Sequence, residues 1–460
     1  MVTMDWVDEL KSELGSCIFT DAPTLRAHAA DKWHASALPQ AVALPTSTEE
    51  VASVLRFAAQ RGLPVTARGA GVGYVGGCVP VQGGIVLSTA RMNRILEISP
   101  GDGVAVVEPG VLTADLQAAC AELGWFYPPD PASRKESSIG GNIATNAGGP
   151  RCLKYGVTRA YVLGLEVVLA DGRVLVCGGR THKNKQGFDL VGLFCGSEGM
   201  LGIVTKATLR IIPAPPARAA LSACFPKFAL AAEAVQRVLQ AGHLPCALEI
   251  TDAFTLAAAR RHLGSSALPV DAEGHLILEI DGQREAVAAE LEALVTLLQE
   301  VGATGITSAR TEEEVESIWQ LRRGFSESLK ATGLTKLNED IVIPRSQLVA
   351  LVEFCAEMQR ESGIPVACFG HSGDGNIHTN IMVLKDEQGR DIRPPADALV
   401  HRLFDWVLAH GGSITGEHGI GLAKAPWFPE AVGPVAMDVH RLLKAALDPA
   451  GILNPGKMGL

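Results

Sequence analysis

The chain has 460 residues, of which 47% are hydrophobic and 20% are charged, and its formal net charge is −10. This composition excludes a disordered chain, and the length predicts about two or three domains. A nucleic-acid-binding face normally needs a basic surplus, and we find no basic run, so nucleic acid is excluded as a partner.

The N-terminal stretch MVTMDWVDELKSELGS lacks the apolar core of a signal peptide, and no later stretch approaches about 18 consecutive apolar residues. The ten cysteines stand apart without a CxxC pair, which is typical of reduced thiols in a protein core. We therefore expect a cytoplasmic protein, and contact with the periphery of a membrane stays open.

The first third of the chain mixes helices and strands. After a helical N-terminal segment, predicted for residues 1–36, Ser47 and Glu50 form a capping-box pattern before apolar residues at helical spacing, and Gly62 ends this helix. A short strand then runs into the glycine-rich stretch ARGAGVGYVGG, residues 67–77. Two further strands, GGIVLST and VAVVEPG, precede a helix predicted near Thr113.

The middle of the chain begins with a predicted hairpin over residues 161–178, whose Asp171-Gly172 pair suits a tight turn. The stretch PAPPA, residues 213–217, is the best domain boundary because prolines cannot continue the interior of a sheet. Beyond it, short strands such as HLILEID alternate with predicted amphipathic helices at residues 228–241, 284–300, 311–331 and 345–361.

Three stretches rich in glycine and small residues can bring backbone N–H groups close to a ligand: residues 67–77, 128–156 and 194–205. The first fits neither the P-loop nor the Rossmann spacing, and a plain structural turn is its alternative. The second predicts an unusually long loop with hydroxyl and amide groups that could lie against a planar ring. Together the three stretches predict a large cofactor that carries phosphates.

The motifs PTSTEEV, ARGAGVGYVGG, SSIGGNIATNAGG, KYG and GSEGMLGIVT resemble, in this order, the flavin domain of the FAD-linked oxidases named for vanillyl-alcohol oxidase. GHSGDGNIH, GEHGIG and LDPAGILNPGK resemble the group of D-lactate dehydrogenase, the flavin subunit of glycolate oxidase and D-2-hydroxyglutarate dehydrogenase. The resemblance implies an α+β protein with a two-subdomain FAD-binding domain of the p-cresol methylhydroxylase (PCMH) type over residues 37–215. It also implies a ferredoxin-like substrate or cap domain over 216–410 and a segment over 411–460 that returns to the flavin site.

For the flavin, the resemblance implies a pyrophosphate site at Arg68, Gly69, Ala70, Gly71, Val72 and Gly73. It places Ser138, Gly141, Asn142, Thr145 and Gly148 near the ring or ribityl chain. It also assigns to the cofactor Glu198, Gly199, Ile203 and Asn454. Some relatives bind FAD covalently through a histidine in the glycine loop, but this loop has no histidine, and no cysteine before Cys78. We therefore expect non-covalent FAD.

The stretch FGHSGDGNIHTNIM predicts a hairpin with His371 at the end of one arm, and alternation puts His378 and Asn380 on one face of the other. Two imidazoles and a carboxylate form a usual ligand set for Zn²⁺ or another divalent ion such as Mn²⁺. The resemblance implies that His371, His378 and Glu417 are the ligands, that His418 is the active-site base and that Asn380 lies close to it. A hydrogen-bond network without metal is the alternative.

A 2-hydroxyacid also needs a cation for its carboxylate. Arg322, Arg323, Ser326 and Lys336 lie in one stretch, and helical spacing puts Arg322 and Ser326 on one side. The resemblance favours Arg322 and Lys336, with Ser326 beside them, whereas Arg323 equally fits a solvated helix face.

The sequence thus predicts an FAD-dependent dehydrogenase that oxidises a D-2-hydroxyacid, in the D-lactate, glycolate or D-2-hydroxyglutarate class, by metal-assisted hydride transfer to flavin N5. No second cofactor motif is found, so electrons are expected to pass to a quinone, an electron-transfer flavoprotein or a partner subunit, and a homodimer stays open. Two alternatives remain: an FAD-dependent oxidase of another alcohol, and a non-catalytic flavoprotein subunit of a larger oxidase complex.

Overall fold

The computed structural model describes residues 5–264 and 271–460, so residues 1–4 of the predicted N-terminal segment lie outside the described residues. The chain divides into two compact units. Unit 1 comprises Met1–Gly148, Val157–Ala214 and Glu417–Leu460. Unit 2 comprises Gly149–Gly156 and Pro215–Gly416.

The α-helices, in chain order, are α1 (Asp5–Leu14), α2 (Ala22–Ala27), α3 (Thr48–Arg61), α4 (Thr113–Ala121), α5 (Ile139–Thr145), α6 (Cys152–Tyr155), α7 (Leu190–Phe194), α8 (Phe228–Gln240), α9 (Ala253–Leu263), α10 (Arg284–Glu300), α11 (Glu312–Lys330), α12 (Leu348–Ser362), α13 (Arg393–Ala409), α14 (Phe428–Val432) and α15 (Pro434–Leu447). The four long helices predicted between residues 228 and 361 correspond to α8, α10, α11 and α12, with ends that differ by three residues at most.

The β-strands are β1 (Ile18–Phe19), β2 (Ala41–Ala43), β3 (Val65–Arg68), β4 (Ile85–Ser88), β5 (Ile95–Ser99), β6 (Val104–Val107), β7 (Trp125–Phe126), β8 (Val162–Val168), β9 (Val174–Gly178), β10 (Ile203–Arg210), β11 (Ile212–Pro213), β12 (Ala217–Phe225), β13 (Ala247–Asp252), β14 (Gly274–Gly282), β15 (Gly305–Ala309), β16 (Thr335–Val342), β17 (Val366–His371) and β18 (Asn376–Val383).

Unit 1 contains a four-stranded sheet in the order β1-β2-β4-β3 and a five-stranded sheet in the order β5-β6-β10-β8-β9. Helix α3 buries its apolar stripe against the first sheet, and its start is fixed by the Ser47 hydroxyl, which accepts a hydrogen bond from the backbone N–H of Glu50 at 3.2 Å. The predicted capping box is only half formed, because the Glu50 carboxylate accepts from the backbone N–H of Thr46 at 2.6 Å. The helix ends at Gly62, whose φ is +62°.

The long loop predicted for residues 128–156 is wrong in part, because α5 and α6 form within it. The Ser138 hydroxyl caps α5 by accepting from the N–H of Gly141, and Asn146 ends the helix at a φ of +51°. The Asn142 side chain is buried and donates to the Thr113 hydroxyl at 2.7 Å. A short helix is therefore stable in this stretch of small residues, because Ser138 and Asn146 satisfy backbone groups at its two ends.

Unit 2 contains a seven-stranded antiparallel sheet in the order β15-β12-β14-β13-β17-β18-β16. Helix α11 packs on one face, where Ile318 and Trp319 join Ala220 and Ile277 in a buried cluster. The predicted hairpin of FGHSGDGNIHTNIM is confirmed: β17 pairs with β18, and residues 372–375 join them. Both strands are buried along their whole length.

Among the described helices, none is both long and apolar enough to cross a membrane. The ten cysteines have free thiols, and most of them are buried, as expected for core residues.

Gly84 offers a test of the packing in unit 1, because its φ is +73° and an added Cβ would collide with the carbonyl oxygen of Pro64. We expect Gly84→Ala to lower the free energy of unfolding by at least about 1–2 kcal/mol, the cost of a left-handed conformation for a residue with a side chain. The measurement is the shift of the urea midpoint. Gly101→Ala is the control, since a Cβ there meets nothing within 4 Å; equal midpoints for the two variants would contradict this account.

Candidate functional site

Two buried histidines meet at the mouth of the β17–β18 hairpin. The ring centroids of His371 and His378 lie 5.4 Å apart, with the ring planes at 81°. The strand register places His378 opposite Phe369 on one side and opposite Asp340 on the other. Both imidazoles therefore lie on the same face of the unit 2 sheet.

Each of these histidines has a buried carboxylate beside it. On β13, one oxygen of Glu249 accepts a hydrogen bond from His371 Nδ1 at 2.5 Å, and the other accepts from Arg322 Nε at 2.6 Å. Burial alone would raise the pKa of Glu249, but the charges of Arg322 and His371 lower it to about 2. Glu249 is therefore ionised at neutral pH.

The second carboxylate is Asp340 on β16, which has an oxygen 4.0 Å from His378 Nδ1. It accepts hydrogen bonds from the Asn376 side chain at 2.6 Å, the Thr415 hydroxyl at 3.1 Å and the backbone N–H of Gly416 at 2.9 Å. The hydrogen bond from Gly416 to Asp340 thereby fixes the backbone immediately before Glu417.

His371 and His378 each offer one ring nitrogen that could bind a metal ion, and Glu417, which belongs to unit 1, stays the predicted third ligand. Their chemistry fits a divalent ion such as Zn²⁺, because two imidazole nitrogens and one carboxylate oxygen leave a coordination position for another ligand. His418 follows directly, with Nε2 3.9 Å from a carboxylate oxygen of Glu417 and its ring stacked on Tyr74 at 5.2 Å.

The predicted substrate residues on α11 and β16 also come together. Lys336 Nζ donates to the Ser326 hydroxyl at 2.7 Å, and burial lowers the pKa of Lys336 to about 8. The Arg322 guanidinium lies 4.9 Å from the centroid of the Phe369 ring. Arg323 instead pairs with Glu316 on an exposed part of the helix, which favours the solvated-face interpretation for that residue.

Asn380 lies two residues from His378 on the same face of β18. Its side-chain nitrogen donates to the backbone oxygens of Ala367 at 3.3 Å and His378 at 3.0 Å. Its side-chain oxygen is buried and accepts no hydrogen bond from the described residues. A buried amide oxygen of this kind is suited to accept a hydrogen bond from a polar ligand.

In unit 1, the three predicted glycine-rich stretches meet, and the third donates backbone hydrogen bonds from Gly196 and Glu198 to Ile143 and Ala144 of the second. A Cβ at Gly69 would lie 2.7 Å from the Ser138 hydroxyl and 3.2 Å from the backbone nitrogen of Gly141. Gly71 has a φ of +72°, and the backbone N–H groups of residues 70–73 donate no hydrogen bond to any described residue. Such a run of N–H groups beside a left-handed glycine fits a phosphate-bearing cofactor such as FAD.

Several residues predicted to touch the cofactor have side chains that bind the protein itself. Arg68 donates to the backbone oxygens of Ala27 and Ala30 and to the Cys78 sulfur, and its guanidinium lies against Gly71, where an added Cβ would collide with it. Thr145 donates to the Gly141 carbonyl at 3.3 Å. The Ile203 side chain lies in the hydrophobic core of unit 1.

Glu198 and Asn454 have comparable structural contacts. The buried Glu198 carboxylate accepts from the backbone N–H groups of Ile420 at 2.7 Å and Gly421 at 2.8 Å. The Asn454 side chain accepts from the N–H of Ala67 at 2.7 Å and donates to the Glu198 carbonyl at 2.5 Å. Gly199 lies close by, because a Cβ there would be 2.8 Å from the Ala67 side chain. The GEHGIG stretch and the end of β3 are thus held in unit 1 by these two residues.

Glu249 and Asp340 were not predicted from the sequence. The available signal was an acidic residue inside a run that otherwise suits a buried strand, as in CALEITD for Glu249. The partners of Glu249 are 73 and 122 residues away along the chain, so no local pattern could name them.

Sequence comparisons cover both parts of the chain. Residues 39–178 match the family described as "FAD binding domain", and residues 214–458 match "FAD linked oxidases, C-terminal domain". The chain is 39% identical to glycolate oxidase subunit GlcD of Bacillus subtilis, over 92% of this chain and 89% of that protein. It is 33% identical to D-lactate dehydrogenase of Anaerostipes hadrus, over 92% and 90% of the two chains.

The mitochondrial D-2-hydroxyglutarate dehydrogenase of Bos taurus is 36% identical, over 90% of this chain and 76% of that protein. Among solved structures, p-cresol methylhydroxylase superposes with a TM-score of 0.78 at 20% identity, over 99% of this chain and 96% of the other. This likeness confirms the fold predicted from the sequence. The chain belongs to the FAD-linked oxidases, and it is an FAD-dependent oxidoreductase of the group that contains GlcD, D-lactate dehydrogenase and D-2-hydroxyglutarate dehydrogenase.

Proposed function

We propose that this enzyme oxidises a small D-2-hydroxyacid to the 2-oxoacid with FAD as the electron acceptor and with the help of a divalent metal ion. The observation that carries the proposal is the pairing of His371 and His378 on the same sheet face as Lys336, next to a helix that carries Arg322. A ligand set for a hard or borderline cation beside two cationic side chains fits a substrate with a hydroxyl and a carboxylate.

In this proposal each residue has one task. Arg322 and Lys336 bind the substrate carboxylate, and Ser326 orients Lys336 through the hydrogen bond between them. Asn380 accepts a hydrogen bond from the substrate through its buried amide oxygen. His418 removes the hydroxyl proton, while the hydrogen on the α-carbon leaves as a hydride with both electrons of its bond.

Two bound groups supply chemistry that side chains lack. A divalent ion at His371, His378 and Glu417 supplies a Lewis acid that lowers the pKa of the substrate hydroxyl. FAD supplies the hydride acceptor at its N5 atom. We propose that the backbone of Arg68, Gly69, Ala70, Gly71, Val72 and Gly73 binds its pyrophosphate. The residues proposed for the rest of the flavin are Ser138, Gly141, Asn142, Thr145, Gly148, Glu198, Gly199, Ile203 and Asn454.

The flavin is proposed to be non-covalent, because burial raises the pKa of the Cys78 thiol and the Cys78 sulfur already accepts a hydrogen bond from Arg68 at 3.1 Å. Reoxidation needs a second acceptor, for which we propose a quinone, an electron-transfer flavoprotein or a partner subunit. Three of the similar proteins carry the name of a glycolate oxidase subunit, which supports the last of these.

The test of this function is anaerobic reduction of the purified yellow protein by glycolate and by both enantiomers of lactate and of 2-hydroxyglutarate. We expect at least one D-enantiomer or glycolate to bleach the flavin absorbance, and the L-enantiomers to leave it unchanged. An enzyme that no 2-hydroxyacid reduces, but that another alcohol does, would make the chain an oxidase of that alcohol. A protein that no substrate reduces would indicate a non-catalytic subunit.

Removing one metal ligand should abolish metal binding and leave flavin binding unchanged. We expect His371→Ala to lose the bound metal and to reduce the rate of flavin bleaching on the order of a hundredfold or more, because the Lewis acid is lost. Its FAD content should stay at the wild-type level, since the flavin loops belong to unit 1.

The measurements are metal content by atomic emission and flavin content after denaturation. His275→Ala is the control, because His275 is equally buried in the same sheet but bonds to Ser222. Loss of FAD from His371→Ala alone would contradict the assignment of the flavin to unit 1.

The charge of Lys336 predicts a pH dependence of substrate binding. Because burial lowers its pKa to about 8, Lys336 loses its charge above that pH, and KM for the hydroxyacid should rise up to about tenfold per pH unit. Lys336→Arg keeps its charge, so its KM should stay flat between pH 7 and about 10; a parallel rise in both proteins would assign the titration to another group. Unfolding is not the cause, because a lysine pKa that is lower in the folded state makes stability rise with pH between about 8 and 10.5.

A further inference from the structure

The Glu249 side chain divides its two oxygens between two partners of different kinds. One oxygen accepts from a ring nitrogen of His371, and the other accepts from the Nε of Arg322. The carboxylate is fully buried, and the Arg322 side chain is only 11% exposed. The pair is therefore shielded from water, and its geometry is maintained by packing as well as by charge.

The hydrogen bond to Glu249 also decides which nitrogen of His371 carries the proton. An ionised carboxylate can only accept, so Nδ1 of His371 must be the donor. In a neutral imidazole the lone pair then lies on Nε2, the form in which a histidine binds a metal.

The same carboxylate fixes the orientation of Arg322. Its Nε–H is directed at Glu249, while its guanidinium lies over the Phe369 ring. Two separate contacts therefore hold the plane of the guanidinium. The two terminal nitrogens lie at the other end of the group, in the arrangement that binds a carboxylate with two parallel hydrogen bonds.

We infer that Glu249 is a positioning residue that orients the metal ligand His371 and the substrate-binding Arg322 at the same time. The inference rests on the proposed function, because it needs a metal at His371 and a substrate carboxylate at Arg322. Its distinctive consequence is that a change at this one carboxylate weakens the binding of metal and the binding of substrate together.

A matched control lies on the neighbouring strand. Glu279 on β14 is also fully buried, and it pairs with Arg151 at 3.0 Å and accepts from the Trp319 side chain. It forms no hydrogen bond or ion pair with a histidine among the described residues. Glu279→Gln therefore disturbs a buried ion pair in the same sheet without touching the proposed site.

The experiment compares Glu249→Gln, Glu279→Gln and the wild type as flavin-containing proteins. Each is freed of metal with a chelator and then titrated with Co²⁺ in competition with a chromophoric chelator. The long-wavelength absorbance of bound Co²⁺ reports the ligand geometry, and flavin content and thermal midpoint are recorded alongside. KM and kcat are then measured with the best hydroxyacid.

For Glu249→Gln we expect the dissociation constant for Co²⁺ to rise about 10- to 100-fold, the usual effect of removing the partner of a metal-binding histidine. KM should also rise by about tenfold or more, because the neutral amide cannot accept from both partners. Glu279→Gln should match the wild type in both quantities, even where its thermal midpoint falls.

A Glu249→Gln protein with wild-type Co²⁺ affinity and spectrum overturns the inference and leaves the proposed function standing. A wild type that binds no Co²⁺ overturns both the metal site and the inference. Equal losses in the two Gln variants would show a general effect of disturbing the sheet, and would also overturn it.

If Glu249→Gln does not fold, Glu249→Asp carries the same test. The aspartate keeps the negative charge near Arg322 but is one methylene too short to reach both partners. We expect weaker Co²⁺ binding with wild-type FAD content, and unchanged Co²⁺ binding in this variant would contradict the role assigned to Glu249.

Discussion

Carboxylates buried in the sheet of unit 2 are the constraint on which the site depends. Glu249 and Asp340 have no appreciable exposure, and an ionised carboxylate away from water costs several kcal/mol unless donors surround it. Both accept hydrogen bonds from buried or partly buried donors, and the donors to Glu249 are His371, proposed to bind the metal, and Arg322, proposed to bind the substrate. The arrangement of the proposed active site therefore follows from the hydrogen-bond donors that these buried carboxylates require.

Unit 1 is proposed to bind FAD in a different way, through backbone N–H groups instead of charged side chains. The cationic Arg68 side chain is directed at backbone oxygens of its own unit, and Glu198 and Asn454 tie the surrounding segments to β3. These contacts hold the glycine loop in shape while its N–H groups stay available. A cofactor with many polar atoms can be bound this way without a fixed positive charge in the protein.

Local patterns in the sequence predicted what depends on neighbours along the chain. Apolar spacing located α10 and α11, and alternation placed His378 and Asn380 on one face of β18. Patterns failed where a structure depends on a few hydrogen bonds or on residues far apart in the chain. The caps of α5 lie in a stretch of turn-forming residues that suits a loop equally well. The partners of Glu249 lie on a strand and a helix that only the folded sheet brings together.

The motifs that resemble known flavoproteins named the ligand-type residues, because such residues recur at recognisable spacings. They did not name the carboxylates behind them, nor the two backbone N–H groups that donate to the Glu198 carboxylate. A motif records that a residue matters at a position. It does not record whether the side chain faces the ligand or supports the segment that does.

The short segment Gly149–Gly156 has a consequence for how this protein can be divided. It belongs to unit 2, where Arg151 pairs with Glu279, and Lys154 and Tyr155 bind Asp281. The chain therefore passes between the units four times, at residues 148, 156, 214 and 416. A gene fusion that exchanged only residues 215–416 for the corresponding stretch of another protein would separate both acids from these partners. Modular exchange in such chains must therefore carry the small segment along with the large one.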